Sequence, residues 1–445
     1  MRRTLIATLV AGVWGSAMAM DMESMEAALK RMGERIEALE RHNKALEDAL
    51  SSERISEKEP EIATRLKYTE SQVETMRTPA TKLAEALEGV KVSGAVVAVA
   101  QNVNADGTST GMQESRNNYR GDLTVTMPLG SMGDNDGQFF THVRFGQGEG
   151  VGLRTAYTSG VNSTAFQTSA GADDSFAILA QAWYQLKIPL NEGVRKADAR
   201  NNLYLTVGKV DPFGFFDQNA IADDESSRFL NNAFVHNPLL DSGGDIGADN
   251  YGFMPGAIAK YEDSSEKGGE WSLSLGALSS GAGANFSGSG QASLLIAQAE
   301  RNTRIAYLPG TWRVYAWSNS RAQDYSSNTQ TATGWGLSLN QKVSEGLTLF
   351  CRYGQHLNGL VKFDRALAIG AELEGHLWNR SADSIGLAMG SLSTSDAYRT
   401  DAPTVSGYQA ADNERLTELY YPEYFTSVGK NEDGILVLSR VAIGI

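Results

Sequence analysis

In the stretch Thr311 to Asn319, Arg313, Tyr315 and Trp317 stand at every second position, with Trp312, Val314 and Ala316 between them. A planar cation beside aromatic faces suits non-covalent recognition of a polar solute. The rings cover apolar surface and the guanidinium donates to oxygens. The pattern recurs. Arg144 alternates with Phe139, Val143 and Phe145. Trp183, Gln185 and Lys187 alternate with Ala182, Tyr184 and Leu186. Arg352 falls opposite Cys351 and Tyr353, and Glu372 and Glu374 fall opposite Ile369, Ala371 and Leu373. No residue set suits bond-making chemistry. His42, His142, His236, His356 and His376 are scattered, without a paired ligand spacing. The run Gly146 to Gly152 lacks the Lys-Ser/Thr of a phosphate loop, and Asp134 to Gly137 lacks the rest of a calcium loop. Neither an enzyme nor a bound cofactor or metal is expected.

A two-residue period belongs to strands. From about residue 90 to residue 445 short alternating segments are separated by Gly, Asn, Asp and Ser-rich loops, and after residue 20 no run could span a bilayer as a helix. Strands of this kind face lipid on one side and water on the other. Only a closed barrel can hold them in a membrane, because an open edge leaves backbone groups unpaired in hydrocarbon. An Arg or Lys facing lipid near the midplane costs about 2–4 kcal/mol, so Arg144, Lys187, Arg313, Arg352, Glu372 and Glu374 are expected to face the bore, with Trp183, Tyr315 and Trp317 beside them. Fifteen strands can be read. An even count of sixteen is expected, with the missing strand between Gly150 and Thr168 and a tight turn at Leu308-Pro309-Gly310-Thr311. An even count puts both barrel ends on the periplasmic side. The non-periodic stretch Asp211 to Asn250 is too long for a simple turn. Folded inward it would narrow the bore, with Asp217 and Asn219 in the constriction.

The 445 residues carry a net charge of −14, which disfavours a nucleic-acid partner, and the single cysteine, Cys351, excludes an intrachain disulfide. Residues 1–19 read as an export signal: Arg2 and Arg3, an apolar run from Leu5 to Trp14, and the small-x-small site Ala17-Met18-Ala19. Residues 20–88 are almost free of Gly. Met22, Met25, Leu29, Met32, Ile36, Leu39, Asn43, Leu46 and Leu50 form a heptad seam, with Asn43 at a core position that would fix register. A second run extends from Ile62 to Leu87, and Pro60 and Pro79 interrupt the helices. This segment is expected to be a periplasmic helical coiled coil that assembles copies of the chain through Leu29, Ile36, Leu39, Asn43 and Leu46; a helical hairpin packed on itself is the alternative.

The stretch Gly208-Lys209-Val210-Asp211-Pro212-Phe213-Gly214-Phe215-Phe216-Asp217-Gln218-Asn219 continues through Ala222-Asp223-Asp224-Glu225 to Phe229-Leu230-Asn231-Asn232-Ala233-Phe234 and Asn237-Pro238. It resembles the signature of the carbohydrate-selective porin family (OprB type). Pro309-Gly310-Thr311-Trp312-Arg313 and Trp378 to Ala388 resemble two further family motifs, in order. A coiled coil before such a barrel is similar to the major outer-membrane porins of cyanobacteria. The resemblance implies an all-β, sixteen-stranded barrel over residues 89–445. It would admit small polar solutes, sugars among them, by diffusion across the outer membrane. Outer-membrane lipid, a homotrimer and cell-wall contact through the coil are the expected partners. The alternatives are a structural protein that tethers or assembles the envelope through residues 20–88, and a general ion or nutrient channel without sugar selectivity.

Overall fold

The computed structural model describes residues 30–31, 33–45, 48, 67–68, 89–105, 108, 110–132, 135–148, 150, 174–191, 199–240, 252–280, 293–381, 383–407, 409–421, 426–431 and 434–444. The chain divides into two compact units, Met1–Glu88 and Gly89–Ile445. In the first, residues 33–45 are helical, and Ile36, Leu39 and Asn43 are its half-buried positions. Their spacing of three and four places them on one helical face. Leu29 and Leu46 lie outside the described residues, as do the expected export signal and most of the second heptad run.

The second unit is a closed antiparallel barrel of sixteen strands. In chain order they are β1 (Lys91–Val103), β2 (Glu114–Met132), β3 (Asn135–Gln147), β4 (Ser175–Pro189), β5 (Asn201–Val210), β6 (Met254–Asp263), β7 (Trp271–Leu278), β8 (Leu294–Ile305), β9 (Leu308–Gln323), β10 (Thr329–Ser344), β11 (Leu347–Asn358), β12 (Phe363–Glu374), β13 (Ser384–Thr394), β14 (Asn413–Tyr420), β15 (Thr426–Asn431) and β16 (Gly434–Gly444). Each pairs with its sequence neighbour. β1 closes the ring on β16, with Ala95 opposite Gly444 and Val103 opposite Leu436. Closure pairs the ladder groups that an edge strand would expose. Among the described residues no helix is long and apolar enough to cross a membrane.

Two expectations change. The sixteenth strand of the ring is β15; β3 pairs directly with β4, and the stretch between Gly150 and Thr168, where the missing strand is expected, lies outside the described residues except Gly150. Thr426–Asn431 is only six residues long and includes Gly429, too short to show a period. The β8–β9 turn is Ala306-Tyr307, both in the left-handed region (φ 50° and 66°), and Pro309-Gly310 belong to β9, opposite Arg304 and Thr303. Positive φ at both central residues is the backbone of a two-residue hairpin, and a Pro near a strand start removes little pairing.

The two wall faces differ as alternation requires. Val207 is 57% and Leu275 62% exposed, whereas the intervening Thr206 and Ser274 are buried. Aromatics mark the outer face near the short-turn end, where Tyr261 and Trp271 approach to 5.3 Å, and again towards the long-loop end, where Trp335 and Tyr353 also meet at 5.3 Å. Such girdles sit at the membrane interfaces.

Candidate functional site: the barrel interior

The β5–β6 connection, residues 211–240, decides the interior. Its contacts go right round the ring. Leu230 packs on Val97 and Val99 of β1. Arg120 of β2 binds Glu225 and Ser226. Gln181 of β4 accepts from the Asp211 amide. Gln298 of β8, Ser338 of β10, Glu372 of β12 and Glu418 of β14 hold the segment on the other side. A segment touching the same face of strands around a closed ring lies inside it.

Local chemistry explains the segment's course. Pro212 starts a single 3₁₀ turn capped by Asp211, whose side chain accepts from the Phe213 amide. Asn231 caps the short helix Asn232–Val235 in the same way. Between them Asp217 takes a left-handed conformation, φ 58°, which Asp adopts more readily than most residues. The segment's aromatics then meet the inner wall. Phe216 lies where a Cβ on Gly276 would be 2.8 Å away, and Asn237 lies within 2.5 Å of a Cβ on Gly354, so both wall positions need glycine.

One buried pair pins this arrangement. Arg352 and Asp217 are 1% and 0% exposed, and Arg352 Nε donates to Asp217 Oδ1 at 3.0 Å. Arg352 Nη1 donates to the Phe234 carbonyl at 2.6 Å, and Nη2 donates to the carbonyls of Asp217 and Ala222, both at 2.9 Å. Tyr315 Oη donates to Asp217 Oδ1 at 2.8 Å, and the Asn237 amide donates to Oδ2 at 2.6 Å. A desolvated charge survives only when paired and fully hydrogen-bonded. Here one guanidinium joins three separate points of the segment. Glu418 adds a second anchor, its two oxygens accepting from the amides of Leu230 and Asn231 at 2.7 and 3.0 Å. Asn219 donates to Ser338 Oγ at 3.0 Å, and Arg313 donates to the Gln218 carbonyl at 2.9 Å while pairing with Glu300. Glu372 accepts from Arg228 at 2.9 Å and from Tyr420.

The expected site residues therefore separate into two groups. Arg313, Tyr315, Trp317, Arg352 and Glu372 share the inner face, but Tyr315, Trp317, Arg352, Asp217, Asn219 and Glu372 are buried under or within the segment. They are placed to hold it rather than to meet solute. Alternation assigns a side of the wall; it does not show what covers that side. Glu374 is at the short-turn rim, paired with Lys342 and near His376. Lys187 lies 5.9 Å over the Tyr204 ring.

On the opposite wall Asp122 and Arg144 stay partly open, while Arg120 and His142 beside them are buried. Asp122 of β2 accepts from His142 Nε2 and Arg144 Nε, each at 2.7 Å, and from Arg120 Nε at 3.0 Å. Arg144 lies 5.2 Å over the Phe253 ring. Trp183 stacks on Phe140 at 4.7 Å, meets Phe215 of the segment edge-on at 5.8 Å, and donates to Gln181. Facing them from the segment are Asp223, Glu225 and His236, the last stacked on Phe213 at 3.9 Å and 4.0 Å from Asp223. Burial pushes the Asp223 carboxyl up to about 8, against the pull of His236 and Arg352. Burial acts most strongly on Glu225 too, but the Arg120 and Arg144 guanidiniums, His236 and a backbone hydrogen bond together outweigh it and hold that carboxyl below the usual range. Arg120 and Asp122 are not among the residues the sequence points to, and Asp223 and Glu225 stand there only within the family-like stretch, without a role. The usable signal was that Arg120 and Asp122 extend the inner-face alternation of Thr124 and Thr126.

The sequence profile of the OprB family of carbohydrate-selective porins matches residues 113–426. The chain belongs to that family. Among solved structures, Pseudomonas putida OprB at high pH superposes with a TM-score of 0.61 at 17% identity, covering 82% of this chain and 96% of that one. The same protein at low pH gives 0.48 at 14% identity, covering 82% and 95%. Salmonella typhi OmpF in complex with daunomycin gives 0.44 at 10% identity, covering 80% and 97%. No curated sequence matches significantly. This OprB-family porin is thus an outer-membrane channel for small solutes, and the first P. putida likeness is one of fold.

Proposed function

We propose that solute crosses this porin along a strip bounded by β2–β4 on one side and by residues 211–240 on the other, and that neutral sugars are among the solutes. The observation that carries this reading is the contrast across the bore. The β8–β14 side is filled by a large apolar cluster that includes Phe216, Phe229, Phe234, Leu239 and Leu240. The strip instead presents Trp183, Phe140, Phe215, Arg144, Asp122, Asp223 and His236 as half-open rings, donors and acceptors. Rings suit the apolar face of a sugar, and paired charges supply directional hydrogen bonds with little net field to favour ions. Lys187, Arg313 and Glu374, in pairs or over a ring, continue the lining towards the short-turn rim.

The test is single-channel conductance of the purified full-length protein while glucose or maltose is added. Saturable block by sugar supports the reading; salt conductance unaffected by any sugar contradicts it. We also propose that the chain is a homotrimer assembled through a periplasmic coil. Half-burial of Ile36, Leu39 and Asn43 on one helix face supports that role. Loss of trimers on deleting residues 20–88 is expected.

A further inference from the structure

The outer wall carries a feature that solute passage does not use. Outward residues of β7, β8 and β9 stand in register: Trp271 opposite Arg301, and Arg301 opposite Trp312. This row lies near the short-turn ends of the three strands. Trp271 and Trp312 are 38% and 45% exposed. The Arg301 guanidinium is more open still, its side chain 63% exposed, with one partner, Glu266, at 3.6 Å and itself 74% exposed. So loose a surface pair contributes little and exchanges readily. Asp263 extends the row beyond Trp271, its Oδ1 already accepting from the Ser265 amide.

Directly up the wall from Arg301, β8 presents Ala299, Ala297 and Leu295 on the same face. Ala297 begins a row of small or branched apolar residues across neighbouring strands, with Leu275, Ala259 and Leu205 on one side and Ala316 on the other. These residues line an open apolar groove of about 860 Å³. Arg301 and Ala297 are four positions apart, about 13 Å along the strand. Short turns lie on the periplasmic side, so the cation sits at the headgroup depth of the inner leaflet and the groove lies in the hydrocarbon above it.

We infer that this face is a specific site for one glycerophospholipid of the periplasmic leaflet, its phosphate on Arg301 between Trp271 and Trp312 and one acyl chain in the groove over Ala259, Ala297 and Ala316. Charge complementarity selects the occupant: an exposed arginine in register with two interfacial tryptophans matches a phosphate, and a groove floored by alanine matches a chain without side branches. A second protein copy would have to bury the exposed guanidinium against its own surface, whereas a lipid phosphate meets it at its own depth.

The experiment uses full-length protein extracted in mild detergent, exchanged against phosphatidylglycerol mixed micelles and washed, with retained lipid phosphate counted and the bound species identified by native mass spectrometry. Wild type is expected to retain about one lipid per chain tightly, and Arg301→Gln to hold it about fivefold more weakly, the factor for about 1 kcal/mol per basic residue at a membrane surface. Ala297→Phe, which fills the groove without touching the cation, should also release the lipid while heat-resistant folding and single-channel conductance stay as in wild type. Equal retention by wild type and both variants overturns the site. So does retention of lipopolysaccharide in place of glycerophospholipid, or of detergent alone.

Discussion

Arg352 and Arg144 occupy the same kind of position, an inward place on an alternating strand, and yet they do different things. Arg352 is covered on every side and spends its donors on three carbonyls and one carboxylate of the inward segment. Arg144, on the far wall, shares Asp122 with His142 and Arg120 and lies over Phe253 with part of its surface open. The difference comes from residues 211–240, which pack a large apolar cluster against the β8–β14 half and reach the other half through fewer contacts, such as Glu225 with Arg120 and the Asp211 amide with Gln181. A charge on the covered half fixes the shape of the channel. A charge on the open half meets whatever passes.

The largest effect should come from the covered side. Arg352→Met leaves Asp217 buried and unpaired, which costs about 3–5 kcal/mol. Heat-modified gel migration should show a less resistant barrel, and bilayer currents should become larger and noisier as the segment loosens. Adding Asp217→Asn should recover part of the loss. Currents indistinguishable from wild type would mean that the segment is held by other contacts.

Two tryptophans sharpen the comparison. Trp317→Ala removes a ring buried in the apolar cluster and should cost about 3–5 kcal/mol of stability with sugar affinity nearly unchanged. Trp183→Ala should do the reverse. Block by maltose weakens about fivefold, as expected for about 1 kcal/mol of ring contact, while thermal resistance changes little. Matching phenotypes in the two variants would erase the distinction between the walls.

The smallest effect concerns pH. Because burial raises the Asp223 carboxyl to about 8, it is protonated at pH 6 and ionised at pH 9. Raising pH across that range adds a negative charge at the strip and should shift reversal potentials towards cations, by about twofold in permeability ratio in 0.1 M salt, where screening limits one charge's reach. Asp223→Asn should flatten the pH dependence, and a variant that keeps it would locate the titrating group elsewhere.

The barrel was legible because period-two alternation is forced wherever one face meets lipid. Arg313, Arg352 and Glu372 declared their side of the wall for the same reason. Three things were not legible. β15 is too short to carry a period. The Ala306-Tyr307 hairpin lacks the Gly or Asn that usually marks positive φ, so the neighbouring Pro309-Gly310 drew attention instead. The covering of Tyr315 and Trp317 depends on contacts between residues about 80 to 135 positions apart, such as Asn237 with Tyr315 and Asp217 with Arg352. Local pattern holds no information about such contacts. Residues 211–240 nonetheless stood out as non-periodic and aromatic, which is how an element folded inside a barrel reads.

The most direct test of the account places a thiol at Asp223. In a Cys351→Ser, Asp223→Cys background a membrane-impermeant cationic methanethiosulfonate can label only that position, since Cys351 is the chain's single native cysteine. Single-channel current should fall in one step per labelled channel and recover on reduction. Full labelling by mass spectrometry with current unchanged would contradict a passage between the segment and β2–β4.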